Sequence, residues 1–130
     1  MKKFYIDNKV ITQNSKPYII AEACINHEGK IKLAKKMVDL AAQAKASAIK
    51  FQMHVLDDEM LKKTPKSKNF DLNLYETLKK TNLTIEEHIM LKKYCAKKNI
   101  DYLCTPFSFK SADILEKEIK LKIFKVGSGE

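Results

Sequence analysis

The sequence predicts an α/β protein whose main strands lie side by side in a parallel sheet. Three observations lead there. Apolar runs of strand length alternate with stretches of helical periodicity, the loops between most of them are short, and the strand runs are nearly continuous in apolar residues. A strand apolar on both faces is buried on both, the environment of a parallel sheet covered by helices. Two architectures remain open on this evidence, a doubly wound sheet or a (β/α) barrel.

The elements follow in order. "KFYIDNKVIT" reads as a short β-hairpin within residues 1–16, and "PYIIAEA" as an apolar strand behind Pro17. "KIKLAKKMVDLAAQAK" places Ala34, Met37, Val38, Ala41 and Ala44 on one helical face. "SAIKFQM" is a second strand of the sheet. Residues 57–69 are polar and contain Pro65 and Ser67, so they read as a loop, followed by a short helix in "LNLYETLKK". "TIEEHIMLKKYCAKKN" opens on Thr84 with Glu87 three residues later, a capping box in which each side chain satisfies a backbone N–H the helix leaves free. "IDYLCTPF" is a third strand, "SADILEKEI" a further helix, and "KIFKVGS" a fourth strand.

Composition narrows the function. A chain of 130 residues with 45% hydrophobic and 32% charged content is a globular domain with a real core. The net charge of +9 invites nucleic acid, but every basic residue is lysine, so the guanidinium fork that grips phosphates and guanine edges is missing. Lys35, Lys36, Lys92, Lys93, Lys97 and Lys98 fall on faces that read as solvated, and no nucleic-acid partner is expected. No apolar run approaches the roughly 20 residues of a membrane helix. "MKKFYIDNKV" lacks the apolar stretch of a secretory signal, so the expected compartment is cytoplasmic. Cys24, Cys95 and Cys104 form no CxxC pair and read as reduced thiols, the last two as small buried hydrophobes. There is no GxGxxG after the first sheet strand, and the closing "GSGE" lacks the Lys-Ser/Thr of a P-loop.

The chemistry-bearing residues sit at strand ends. Glu22 closes "YIIAE", Lys50 and Gln52 close "SAIKFQ" and share one side of the sheet, Thr105 follows "YLC", and Lys125 and Ser128 close "IFKVGS". A buried lone ammonium costs several kcal/mol unless it is paired or meets an anion. Two lysines, two hydroxyls and glycine N–H groups make a cradle for a phosphate plus a carboxylate, with Glu22 and Glu130 left to bind a polyol or handle protons. The simpler alternative is that Lys50 and Glu22 form one buried ion pair and the rest is turn chemistry.

"YIIAEACINHEGKIKLAKKMVDLAAQAKASAIKFQ", "LCTPFS" and "FKVGSGE", in that order and spacing, resemble the N-terminal half of the sialic acid synthase family, which includes N-acetylneuraminate, legionaminate and pseudaminate synthases. The resemblance runs from about Pro17 to Glu130 and rests on NH-x-G after the first strand, KFQ, TPF and K-x-x-SGE. It implies a TIM (β/α)8 barrel and a transferase that condenses phosphoenolpyruvate with an N-acetylhexosamine such as N-acetylmannosamine, releasing phosphate. It also implies a divalent metal, Mn or Mg, whose histidine ligands belong to later strands. By the same resemblance Lys50, Thr105, Lys125 and Ser128 hold phosphoenolpyruvate, Gln52 and Glu130 face the sugar, Glu22 is an acid/base or orienting carboxylate, and His27 lines the site. His54 is a lesser candidate for the pocket edge, and His88 reads as packing or surface. The sequence departs from the family where Ala23-Cys24 replaces Ile-Gly, Glu28 replaces a second Asn, and Lys45 replaces the glycine that ends the first helix.

Set against the eight strands and ~250 residues of a complete barrel, the expectation is an N-terminal half with about four parallel strands over residues 17–130, preceded by the hairpin. Such a half would leave open strand edges. It is expected to be a piece of a larger synthase, a half-barrel that closes by forming a homodimer, or a segment that does not fold alone. The alternative function is a non-catalytic remnant serving as a binding or interaction module.

Overall fold

The computed structural model describes residues 3–6, 9–63, 65–66, 68 and 71–128. The predicted hairpin forms from β1 (Phe4–Ile6) and β2 (Lys9–Ile11), paired antiparallel. Lys9 Nζ ties it to the Asp101 carboxylate at 2.6 Å, an oxygen that also accepts from the Tyr18 hydroxyl.

The main sheet is parallel, in the order β3 (Ile20–Cys24), β4 (Ala48–Met53) and β5 (Asp101–Pro106). Its register places Glu22 opposite Lys50, Lys50 opposite Leu103, and Gln52 opposite Thr105. The period of two then sorts the side chains. Ile49, Phe51, Met53, Tyr102 and Cys104 join a core with Ala34, Val38 and Ala41 of α1 (Ile31–Gln43) and Leu91 and Cys95 of α4 (Ile85–Lys97). Lys50, Gln52 and Thr105 are left on the other face, which is the inner side of a barrel wall. Cys95 and Cys104 are buried free thiols, pushed up to about 12 by that burial.

The expected capping box is present: Thr84 Oγ1 accepts from Glu87 N and Glu87 accepts from Thr84 N. Three boundaries differ from expectation. Residues 56–59 make a helical turn, α2 (Leu56–Glu59), inside the anticipated loop, and α3 covers Leu74–Thr81. The helix placed at Ser111 begins earlier, as α5 (Phe109–Lys117), because Ser108 supplies the N-cap. Ala44 is exposed rather than in the core, since α1 has already ended at Gln43.

The fourth strand does not form among the described residues. Residues 123–128 are extended, with Ile123, Lys125 and Gly127 half-buried and Phe124 and Val126 exposed, but no ladder joins them to β5. The alternation a strand needs is there; the backbone partner that turns it into a strand is not.

Three of the departures noted in the sequence leave a mark. Cys24, Glu28 and Lys45 all adopt left-handed backbone, with φ of 49°, 53° and 59°. Lys45 is the C′ residue of a Schellman motif in which Ala46 N–H donates to Ala41 O and Lys45 N–H to Ala42 O. An L-residue there carries a Cβ that crowds the backbone. Lys45→Gly is therefore expected to raise stability by about 1 kcal/mol, read as a higher urea midpoint at unchanged slope. A lower midpoint would show that Lys45 makes a compensating contact. Gly29, at φ 70°, is irreplaceable for a second reason: a Cβ there would stand 2.6 Å from Lys80 O. The β3–α1 loop thus closes directly onto the end of α3.

Candidate functional site

The site is built where β3, β4 and β5 end. Lys50 sits in mid-sheet with a side chain only 4% exposed, and it is held on two sides. Its Nζ lies 2.9 Å from Glu22 Oε2 across the β3–β4 register, and donates to Thr105 Oγ1 at 3.0 Å on the far side of β4. An ammonium has three donors, and these two acceptors occupy two of them. Glu22 is more than half exposed, so one face of its carboxylate meets solvent while the other anchors the lysine. The ion pair anticipated as the simpler reading is therefore real, and it includes Thr105.

Beside it the strand buckles. The register shifts between Glu22 and Cys24, so that Cys24 rather than Ala23 stands opposite Phe51. The bulge and the left-handed backbone at Cys24 turn its thiol back to Glu22 Oε2, at 3.5 Å. Burial raises the Cys24 thiol first and the Glu22 hydrogen bond adds to it, while Lys50 and Lys125 both draw it down. Both ammonium groups therefore lie within electrostatic reach of one sulfur. Lys125 in turn points to Ser128 Oγ at 3.4 Å. Lys125 and Ser128 sit together on the extended residues 123–128, while Glu22, Lys50 and Thr105 form one contact network across the sheet. Cys24 joins them, and sequence reasoning did not place it in the site; a residue replacing a glycine at a strand end was the available signal.

Gln52 shares the Lys50 face one step further along β4, and its Oε1 lies 3.2 Å from His54 Nε2. His54 is buried, stacked on Phe107 with centroids 4.6 Å apart, and its Nδ1 faces both carboxylate oxygens of Glu59. His27 is 1% exposed. Its Nδ1 accepts from Gly29 N–H at 3.2 Å, which orders the β3–α1 loop, and its ring tilts against Phe51 in the core behind the sheet. That places it behind the cradle rather than on its lining; burial lowers its pKa. Glu130 lies outside the described residues. His88 is wholly buried with Nδ1 2.6 Å from the Tyr102 hydroxyl. Among the described residues no three His, Cys, Asp or Glu side chains group as a metal site, and no helix is long and apolar enough to cross a membrane.

Residues 37–130 match the NeuB family, a span that takes in KFQ, TPF and the closing K-x-x-SGE together. The chain belongs to the NeuB family. Its relatives in the NeuB family include an N,N'-diacetyllegionaminic acid synthase of Campylobacter jejuni, 39% identical over 121 residues that cover 88% of this chain and 36% of that protein. SpsE, a spore coat polysaccharide biosynthesis protein of Bacillus subtilis, is 36% identical over all of this chain and 35% of its own length. Among solved structures, a sialic acid synthetase from Leptospira borgpetersenii in complex with citrate superposes with a TM-score of 0.76 at 35% identity, covering 96% of this chain and 41% of that one. The NeuB-family chain thus spans about a third of the length of the curated relatives it matches, and its α/β architecture is a partial half of their barrel.

Proposed function

We propose that this chain supplies the phosphoenolpyruvate-binding part of a nonulosonate synthase. The observation that carries the reading is Lys50: a buried ammonium in the central strand, braced by Glu22 and Thr105. A carboxylate or phosphate oxygen is the natural occupant of its remaining donor. In a complete barrel this end of the sheet is the floor of the active site.

Lys50, Thr105, Lys125 and Ser128 hold the carboxylate and phosphate of phosphoenolpyruvate, fixing its C3 toward the open-chain aldehyde of an N-acetylhexosamine such as N-acetylmannosamine. C3 attacks the aldehyde carbon, water adds at C2, and phosphate leaves. The two ammonium groups contribute positioning and charge stabilisation rather than proton transfer. Glu22, anchored by Lys50 and open to solvent, orients beside the reacting carbons. Gln52 faces the sugar. The family's divalent ion finds no ligand group among the described residues, so none of these steps is routed through it.

The test is phosphate release with phosphoenolpyruvate, N-acetylmannosamine and Mn²⁺. A protein that carries this segment within a complete barrel is expected to turn over, and the 130-residue chain alone is not. Robust turnover by the short chain would overturn the assignment of a partial site. Silence of the complete barrel toward every N-acetylhexosamine would overturn the reaction.

A further inference from the structure

His54 and Glu59 lie behind Gln52, and the reaction above uses neither. Their contacts are those of a clamp. Both Glu59 oxygens lie 2.9–3.0 Å from His54 Nδ1, and an ionised carboxylate only accepts, so Nδ1 carries a proton. The opposite ring atom, Nε2, is 3.2 Å from the Gln52 side-chain amide. The ring cannot swing away: Phe107 stacks on it at 4.6 Å, and Asn82 Nδ2 donates to the His54 backbone carbonyl at 2.8 Å. The carboxylate is nearly as enclosed as the ring, with side-chain exposures of 10% and 4%.

An amide side chain offers a donor edge and an acceptor edge, and whichever one the protein holds, the other is left for a ligand. Here one edge is held by the clamped ring. We propose that His54 and Glu59 are positioning residues that lock the Gln52 amide with one edge on the ring and the other presented at the strand ends to the acceptor sugar. The assignment rests on the proposed reaction for the identity of the ligand, and on the contacts of the clamp for the positioning. Glu59→Gln replaces the carboxylate with a neutral amide, weakens its hold on the ring, and lets the Gln52 amide turn over.

Kinetics test it. In a complete-barrel protein, Glu59→Gln is expected to raise KM for the N-acetylhexosamine by about tenfold while KM for phosphoenolpyruvate stays within about twofold. In a Gln52→Ala background the same change is expected to add nothing, because its route runs through Gln52. Equal rises in both KM values, or additive losses in the double variant, overturn the positioning role while leaving the proposed reaction standing.

Discussion

Replacing Lys50 by methionine in a complete-barrel protein is expected to cut kcat/KM for phosphoenolpyruvate more than tenfold, a loss beyond about 1.4 kcal/mol of transition-state stabilisation. Stability is expected to stay within about 1 kcal/mol. The two halves of this expectation have separate causes. A buried ammonium is expensive to desolvate, so an apolar side chain of similar volume is tolerated at its site. Glu22, left without its partner, is more than half exposed and takes up water instead. If Lys50 served only to pair Glu22, the outcome would be reversed, with stability lost and kinetics spared. Lys50→Ala and Lys125→Ala are expected to show the same kinetic loss, and unchanged kinetics in both would remove the cradle from the mechanism.

Acid is expected to begin destabilising the chain above the pH at which its carboxylates are neutralised. His88 has no accessible surface, and burial, reinforced by His27 and His54, lowers its pKa from the ordinary 6.5 to about 4. The folded state thus keeps His88 neutral while the unfolded chain binds a proton through the same range. The stabilisation is complete above pH 6.5 and is lost as pH falls toward about 4. Over that interval it amounts to about 3 kcal/mol, a large share of the 5–15 kcal/mol that typically separates folded from unfolded. His27, lowered by its own burial, acts in the same direction. Urea midpoints between pH 7.5 and 4.5 are expected to fall steeply. His88→Gln is expected to be weaker at pH 7, from imperfect replacement of the Tyr102 contact, but flatter with pH by close to one proton. A slope identical to that of the unmutated chain would show that the proton is taken up elsewhere.

What the sequence made legible was whatever depends on local period and on charge in the wrong solvent. Lys50 betrayed itself as a cation in an apolar run, and its two-residue offset from Gln52 put both on one face. His88, Leu91 and Cys95 share a helical stripe, which fits the buried face they form, yet nothing along the chain announced Tyr102 as the histidine's partner. The clamp behind Gln52 was equally hidden, because His54 and Glu59 meet across a strand-to-helix corner that no periodicity describes. Residues 123–128 show the opposite failure. Their alternation is that of a strand, but pairing is a property of two segments, and one segment was all the pattern could report. The left-handed positions were half visible: Cys24, Glu28 and Lys45 stood out as departures from a family pattern, and the backbone supplied the reason.

Lys50 and Lys125, the two ammonium groups of the proposed cradle, have different mountings. The first is bolted into a hydrogen-bonded register on both sides; the second rides on an extended stretch with no ladder. Any anion that draws Lys125 inward narrows the freedom of that stretch, and any strand that pairs with it delivers Lys125 ready placed. By thermodynamic reciprocity each event then strengthens the other to the same degree. In the proposed cradle, ligand capture and strand pairing at this edge are then coupled.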